Sequence, residues 1–219
     1  MLKIHTLTLG MYQTNTYIIH EENAKTCCVI DPGYEADTIL DKIEHLGLKL
    51  DAILLTHGHF DHTQGVKWLK DKYGVQFACS SKDQFLIDAS SGGTVYGLHC
   101  NEVPAVDVDL DAVADIEFGN TRLSVIKTPG HTPGHVSLYN AEAKVLFTGD
   151  TLFRESIGRT DLPGGDYSWI MKSILDEIIP LGDDVKIYPG HEDSSTIGHE
   201  TLYNPFVTEV LNNEINYKG

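Results

Sequence analysis

The chain has 219 residues, 41% of them hydrophobic, and a formal net charge of −16. That much apolar material can bury a core, which excludes wholesale disorder. The acidic balance argues against nucleic acid and anionic membrane surfaces as partners, because both select for Lys and Arg; it reads as a solubilising surface, part of which bound divalent cations would offset.

"LKIHTLTL", "NTYIIH" and "TCCVID" are rich in β-branched and aromatic residues and predict three strands, the last stopped by "DPG" at Asp31 to Gly33. The N-terminal stretch reads as two of these strands, not as a signal peptide, and no run approaches a membrane span, so a cytoplasmic protein is expected. In "EADTILDKIEHLGL", Ile39, Leu40, Ile43 and Leu46 recur at helical spacing up to Gly47. "DAILLT" predicts a buried strand that runs directly into "HGHFDHTQG", after which "GVKWLKDKYG", "VQFACS" and "SKDQFLIDA" predict a helix, a strand and a second short helix. Ser90 to Val106 has no clear period and several glycines, and is expected to be a mobile side wall over a site, with an interdomain linker as the alternative. "DIEFGNTRLSVIKTPG" predicts a hairpin turning at Gly119-Asn120. "HVSLYN", "KVLFTGD" and "VKIYPGHE" are further strands, and "DYSWIMKSILDEIIPL" and "IGHETLYNPFVTEVLN" predict one helix each. No repeat, low-complexity run or charge block marks a boundary, so residues 1–219 are read as a single α/β domain. The four cysteines, Cys27, Cys28, Cys79 and Cys100, form no C-x-x-C pair, which argues for buried thiols over a disulfide framework or zinc knot.

Of eleven histidines, His57, His59, His62, His131 and His191 fall at strand-to-loop transitions beside glycine or aspartate, and Asp150 in "LFTGDT" sits in the same kind of place. Such ends converge when strands lie side by side. Extended backbone from Thr56 would point His57, His59 and Asp61 one way, which suits one metal. A turn near Gly58 to Asp61 would swing Asp61 and His62 toward a second position, and two metals sharing an oxygen would explain why both are present. Imidazole and carboxylate suit zinc, iron or manganese, and the lack of thiolate argues against a structural zinc. Strand or helix packing does not reward three histidines and an aspartate within six positions. His5, His20, His45, His99 and His199 are read as ordinary core or surface residues, and His135 as a residue supporting a ligand.

"THGHFDH", followed in order by "TPGHTPGH", "FTGDT" and "YPGHE", resembles the ligand signature of the metallo-β-lactamase superfamily across nearly the whole chain. The resemblance implies a four-layer αββα sandwich with a dinuclear site at one sheet edge. It implies one metal on His57, His59 and His131, a second on Asp61, His62 and His191, and Asp150 bridging them with a water or hydroxide, most commonly as two Zn2+ ions, with Fe or Mn as alternatives. Asp31 in "VIDPG" matches a position that supports a ligand from behind. "GDTLFRESIGRTDLPGGD" and "GHEDSSTIGHETLYNPF" are similar to the glyoxalase II group, the hydroxyacylglutathione hydrolases, in their short single-domain form. A small-molecule thioester would be attacked by the metal-bridging hydroxide, with Asp61 or Asp150 taking up a proton and Arg154 and Arg159 set to hold a substrate carboxylate or to pair with Asp161 or Asp166.

Two departures weigh against glutathione as the thiol carrier: the tail after His191 holds Lys218 as its sole Lys or Arg, and Thr160-Asp161 follow Arg159 where the group has aromatics. The best-known true β-lactamases use a cysteine ligand and lack the equivalent of His62. Flavodiiron proteins place glutamate at His59, and RNA-processing members carry a large extra domain. Persulfide dioxygenases also resemble this chain, including the G-R-T-D stretch from Gly158 to Asp161, and would hold a single Fe(II) on His57, His131 and Asp150. A non-enzymatic metal-bound scaffold is the third reading, disfavoured by the intact ligand set.

Overall fold

A computed structural model describes residues 1–217 of the chain; Lys218 lies outside the described residues. Strands β1 (Leu2–Leu9), β2 (Thr14–Glu21) and β3 (Thr26–Ile30) form an antiparallel meander. Helix α1 (Ala36–His45) leads to β4 (Lys49–Leu54), which lies parallel to β3. A single helical turn, α2 (Phe60–Thr63), and α3 (Val66–Tyr73) connect β4 to β5 (Gln76–Cys79). Helix α4 (Gln84–Ser90) and a small hairpin, β6 (Thr94–Val95) with β7 (Leu98–His99), precede β8 (Val108–Asp109), which completes the first sheet in the order β1-β2-β3-β4-β5-β8.

The second sheet begins with β9 (Asp115–Phe118) and β10 (Thr121–Lys127), joined by the two-residue turn at Gly119-Asn120. It continues antiparallel through β11 (Val136–Asn140) and β12 (Val145–Gly149). After the hairpin of β13 (Leu152–Phe153) and β14 (Ser156–Ile157) and helix α5 (Tyr167–Lys172), β15 (Lys186–Pro189) adds parallel to β12 and β16 (Ser195–Thr196) closes the edge. The order is β16-β15-β12-β11-β10-β9. Helices α6 (Ile197–Tyr203) and α7 (Pro205–Tyr217) follow.

Three apolar interfaces hold four layers together. Ile18, Cys27, Val29, Ile53 and Phe77 of the first sheet pack with Ile39, Ile43, Leu69 and Ile87 of α1, α3 and α4. The alternate residues of the same strands, Tyr17, Ile19, Cys28, Ile30 and Leu54, meet Leu123, Val125, Leu138 and Phe147 of the second sheet. Leu146 and Ile187 face outward onto Ile170, Ile174, Ile197 and Val207. Side chains alternate across a strand, so β3 and β12 must be apolar on both faces, which is why they read as continuous hydrophobic runs. Full burial of each such side chain stabilises by roughly 1.5–3 kcal/mol. The result is the αββα sandwich that the motifs implied.

Two elements differ from the periodicity. The helix expected from Tyr167 onward widens into a π-helical stretch at Ser173–Ile178 and ends in a 3-10 turn at Ile179–Leu181, where Pro180 cannot donate. The last expected helix is two: Asn204 is extended at φ −71°, ψ 117°, as a residue before proline must be, and its Oδ1 accepts from the Phe206 and Val207 amides at the start of α7. The segment between α4 and β8 is tied down. The Val103 amide donates to Ser91 Oγ and the Asn101 side chain donates to the Gln64 carbonyl, leaving the β6–β7 hairpin as a wall beside the site.

Candidate metal centre

Every loop bearing a predicted ligand leaves the C-terminal end of a strand. His57 and His59 follow β4, His131 follows β10, Asp150 follows β12 and His191 follows β15. In place of the extended run expected from Thr56, the chain bends at Thr56 and His57 and is extended at His59 (φ −68°, ψ 146°), and α2 then carries Asp61 and His62 to the side of His191. The seven side chains gather into overlapping groups: His57, His59 and His131; Asp61, His62 and His191; and His57, His62 and Asp150, with the donor atoms of each group within 4.8 Å of one another.

Individual separations match donors that share an ion. Asp150 Oδ2 lies 3.4 Å from both His131 Nε2 and His191 Nε2, and its Oδ1 lies 3.5 Å from His62 Nε2. Asp61 Oδ2 is 3.3 Å from His191 Nε2 and 3.5 Å from His62 Nε2. Two donors about 2.1 Å from one tetrahedral cation stand roughly 3.4 Å apart. His57 Nε2, His62 Nε2 and Asp150 Oδ1 are buried and have no hydrogen-bond partner in the protein. Orphaned buried groups of that kind are costly, and here three of them, all on residues that share one of the groups, are relieved together by a cation. The residues present fit a divalent metal.

Electrostatics separate the two halves. Burial, and then neighbouring imidazoles, lower His57 well below the usual imidazole range and His59 to about 4, so both are neutral imidazoles, with His59 Nδ1 2.8 Å from His131 Nε2. Burial opposes charge on His62 too, but Asp61, Asp150 and Asp31 outweigh it and raise His62 to about 9. Burial is likewise outweighed at His191, which Asp150 and Asp61 raise to about 11. Burial would raise Asp150, yet His62 and His191 push it well below the usual carboxylate range. The carboxylates stay ionised and in need of positive charge, which a cation supplies.

The supporting shell is built from buried polar side chains. Asp31 Oδ1 accepts from the Thr56 amide and Oδ2 from Thr56 Oγ1, both at 2.7 Å, and Oδ2 faces His62 Nδ1 at 3.1 Å. His135 Nε2 accepts from the Asp150 amide at 2.9 Å, while its Nδ1 lies 3.0 Å from the hydroxyls of Thr128 and Thr151. His191 Nδ1 is 3.0 Å from the Tyr12 carbonyl in the β1–β2 turn. Asp83, which the sequence pattern did not single out, accepts from the Gly58 and Gly134 amides and from Thr132 Oγ1, binding the His57–His59 loop to the His131 loop. Its only local signal is an acid before α4. Gly190 lets the strands close: a Cβ there would lie 2.1 Å from Asp150 Oδ1.

The two arginines separate. Arg159 lines the cleft over the centre, but its Nε and Nη2 donate to both oxygens of Asp161 at 2.7 and 2.8 Å. Arg154 lines a different surface depression with Lys186 and His199. The five histidines expected to be ordinary lie outside the cluster; His5 and His20, for instance, stack on each other.

An αββα sandwich with His and Asp donors converging at one edge defines a metal-binding, hydrolase-like enzyme. The chain belongs to the metallo-β-lactamase superfamily, whose model matches residues 9–191. It is 37% identical to the hydroxyacylglutathione hydrolase GloC of Haemophilus influenzae over 94% of this chain and 98% of that one. Among solved structures it is similar to the BLEG-1 B3 metallo-β-lactamase (TM-score 0.88, 36% identity, 95% of this chain and 100% of that one). It is also similar to TTHA1623 in a di-iron-bound form (TM-score 0.81, 34% identity, 92% and 99%). ETHE1 from Myxococcus xanthus is more distant (TM-score 0.74, 25% identity, 96% and 90%).

Proposed function

We propose that this protein hydrolyses a small-molecule thioester in the manner of glyoxalase II, with the described residues acting as one domain in the cytoplasm. The observation that carries the reading is the complete second trio, Asp61, His62 and His191, standing beside His57, His59 and His131 with Asp150 between them. The likeness to GloC supports the reaction class. His57, His59 and His131 would hold one divalent cation, Asp61, His62 and His191 the other, and Asp150 would bridge; zinc is the first choice from the donor set, with iron or manganese as alternatives. Bound there, the pair would supply an ionised water and a Lewis acid for the acyl oxygen.

The chain's own residues do the rest. Asp31 and the Tyr12 carbonyl orient His62 and His191, and His135 and Asp83 fix the loops that carry Asp150, His57 and His131. Asp61 and Asp150 are held ionised by the neighbouring imidazoles, so they face the cations as carboxylates. A thiolate leaves as the conjugate base of a thiol with a pKa around 8.5, so no strong acid is needed on the far side.

The second reading, a mononuclear Fe(II) persulfide dioxygenase on His57, His131 and Asp150, is favoured by the likeness to ETHE1. Elemental analysis of the purified protein, run beside thioester turnover and oxygen uptake on glutathione persulfide, separates them. Two metals per chain, thioester turnover and no oxygen uptake are expected; one iron with oxygen uptake would overturn the hydrolase. His59→Ala should lower turnover of a model thioester at least about 100-fold with the fold retained, and unchanged turnover would remove the site assignment.

A further inference from the structure

The cleft over the metal centre is a cavity of about 270 Å³. Its floor is the metal cluster. Its walls are Tyr12 from the β1–β2 turn, Phe60 from α2, Leu86 from α4, Tyr96 from the β6–β7 hairpin, and Leu162 and Pro163 from the segment before α5. Arg159 is the sole Lys or Arg on that lining, and both oxygens of Asp161 already hold its guanidinium. A carrier such as glutathione brings two carboxylates and an ammonium group, and among the described residues this wall offers them no free cation.

Tyr96 is the informative residue. It sits at the tip of the hairpin with φ +48°, and Gly97 follows at φ +82°. Two successive left-handed residues make the type of hairpin turn whose first position favours Asn, Asp or Gly. An L-residue with a bulky side chain pays about 1–2 kcal/mol there, and Tyr96 is 68% exposed, so burial within the protein does not offset it. Strain of this kind points toward function. The ring lies 5.9 Å from Phe60, which stands edge-on to Tyr12 at 5.4 Å, so three aromatic rings form one side of the cleft mouth.

We infer that the substrate is a thioester of an apolar acyl group on an uncharged thiol, and that Tyr96 is the specificity-determining residue that closes over the acyl chain. This rests on the thioesterase reading. Each methylene that enters such a cleft should raise kcat/KM by up to about fourfold, whereas a polar 2-hydroxyacyl group gains little from these walls.

The test is a panel of acetyl, butyryl and hexanoyl thioesters of N-acetylcysteamine and of glutathione, turned over by the metal-loaded protein. Beside it, calorimetric titrations use the matching ketones, in which CH2 replaces sulfur. The expected result is a kcat/KM at least about thirtyfold higher for hexanoyl than for acetyl, with the glutathione series below the N-acetylcysteamine series at every length. Tyr96→Phe should keep the hexanoyl-to-acetyl ratio. Tyr96→Asn should reduce it about tenfold while raising the thermal midpoint by a few degrees, because asparagine relieves the turn. Turnover that is flat with acyl length, a preference for glutathione thioesters, or an unchanged ratio in Tyr96→Asn overturns the inference and leaves the hydrolase standing. Absence of turnover across the panel defeats the hydrolase reading instead; the ketone affinities then decide the cleft, rising with chain length if its walls take an apolar group and flat if they do not.

Discussion

Asp83 shows how a residue outside the cluster sets its geometry. Its carboxylate is buried and accepts three hydrogen bonds, at 2.9 Å from the Gly58 amide, 2.7 Å from the Gly134 amide and 2.6 Å from Thr132 Oγ1. In Asp83→Ala those donors lose their partner, at about 1–3 kcal/mol each. The variant should be destabilised by about 3 kcal/mol or more in urea titration and should bind metal 10–100-fold more weakly; wild-type stability and affinity would refute the role. Asp31 acts similarly on His62, from a backbone at φ +49° that aspartate tolerates better than most residues. Asp31→Asn keeps the shape and loses the charge facing His62 Nδ1, so competition titration with a metal chelator should show a 10–100-fold loss at one of the two sites and little at the other. The seven candidate ligands were legible in the sequence because they crowd beside glycines at strand ends. Asp83 was not, because its amide partners lie 25 and 51 positions away and only folding brings them to it.

Elements matter here through their ends. The C-terminal ends of β4, β10, β12 and β15 deliver the candidate ligands to one edge, and close backbone approach between the last two depends on Gly190. Gly190→Ala would set a Cβ 2.1 Å from Asp150 Oδ1 and 2.8 Å from His62 Cε1. The fold's circular dichroism should survive while the purified variant carries at least one metal fewer per chain; full metal content would show that the strands have room to shift. The stretch "IGHETLYNPFVTEVLN" reads as one helix, yet Pro205 forces Asn204 out of the helical region and divides the element. Local propensity won there over a pattern that averages across several turns.

The whole molecule couples this edge to its stability. Both sheets contribute to the cluster, β4 from the first and β10, β12 and β15 from the second, so a cation held there would tie together the two halves of the interface around Phe147. Ligands that bind only the folded state stabilise it by mass action, by about 4 kcal/mol at a free concentration a thousandfold above Kd. For a chain of this size that is a shift of about 8–16 °C. A chelator should lower the thermal midpoint by an amount in this range, and zinc should restore it; an unchanged midpoint would mean that the cluster binds no metal of consequence. No helix among the described residues is long and apolar enough to cross a membrane.

Composition and local order alone determined the strand-rich α/β character, the candidate ligands and, through the motif resemblance, the family and the four layers. Those features depend on residue type and on neighbours a few positions away, which is the information a linear pattern holds. Only the tertiary structure decided that α2 brings Asp61 and His62 beside His191, that Arg159 is engaged by Asp161 while Arg154 faces elsewhere, and that an apolar cleft rimmed by Tyr96 stands over the centre. Each of those depends on which distant segments pack against one another, and the choice is made by burying three apolar interfaces at once.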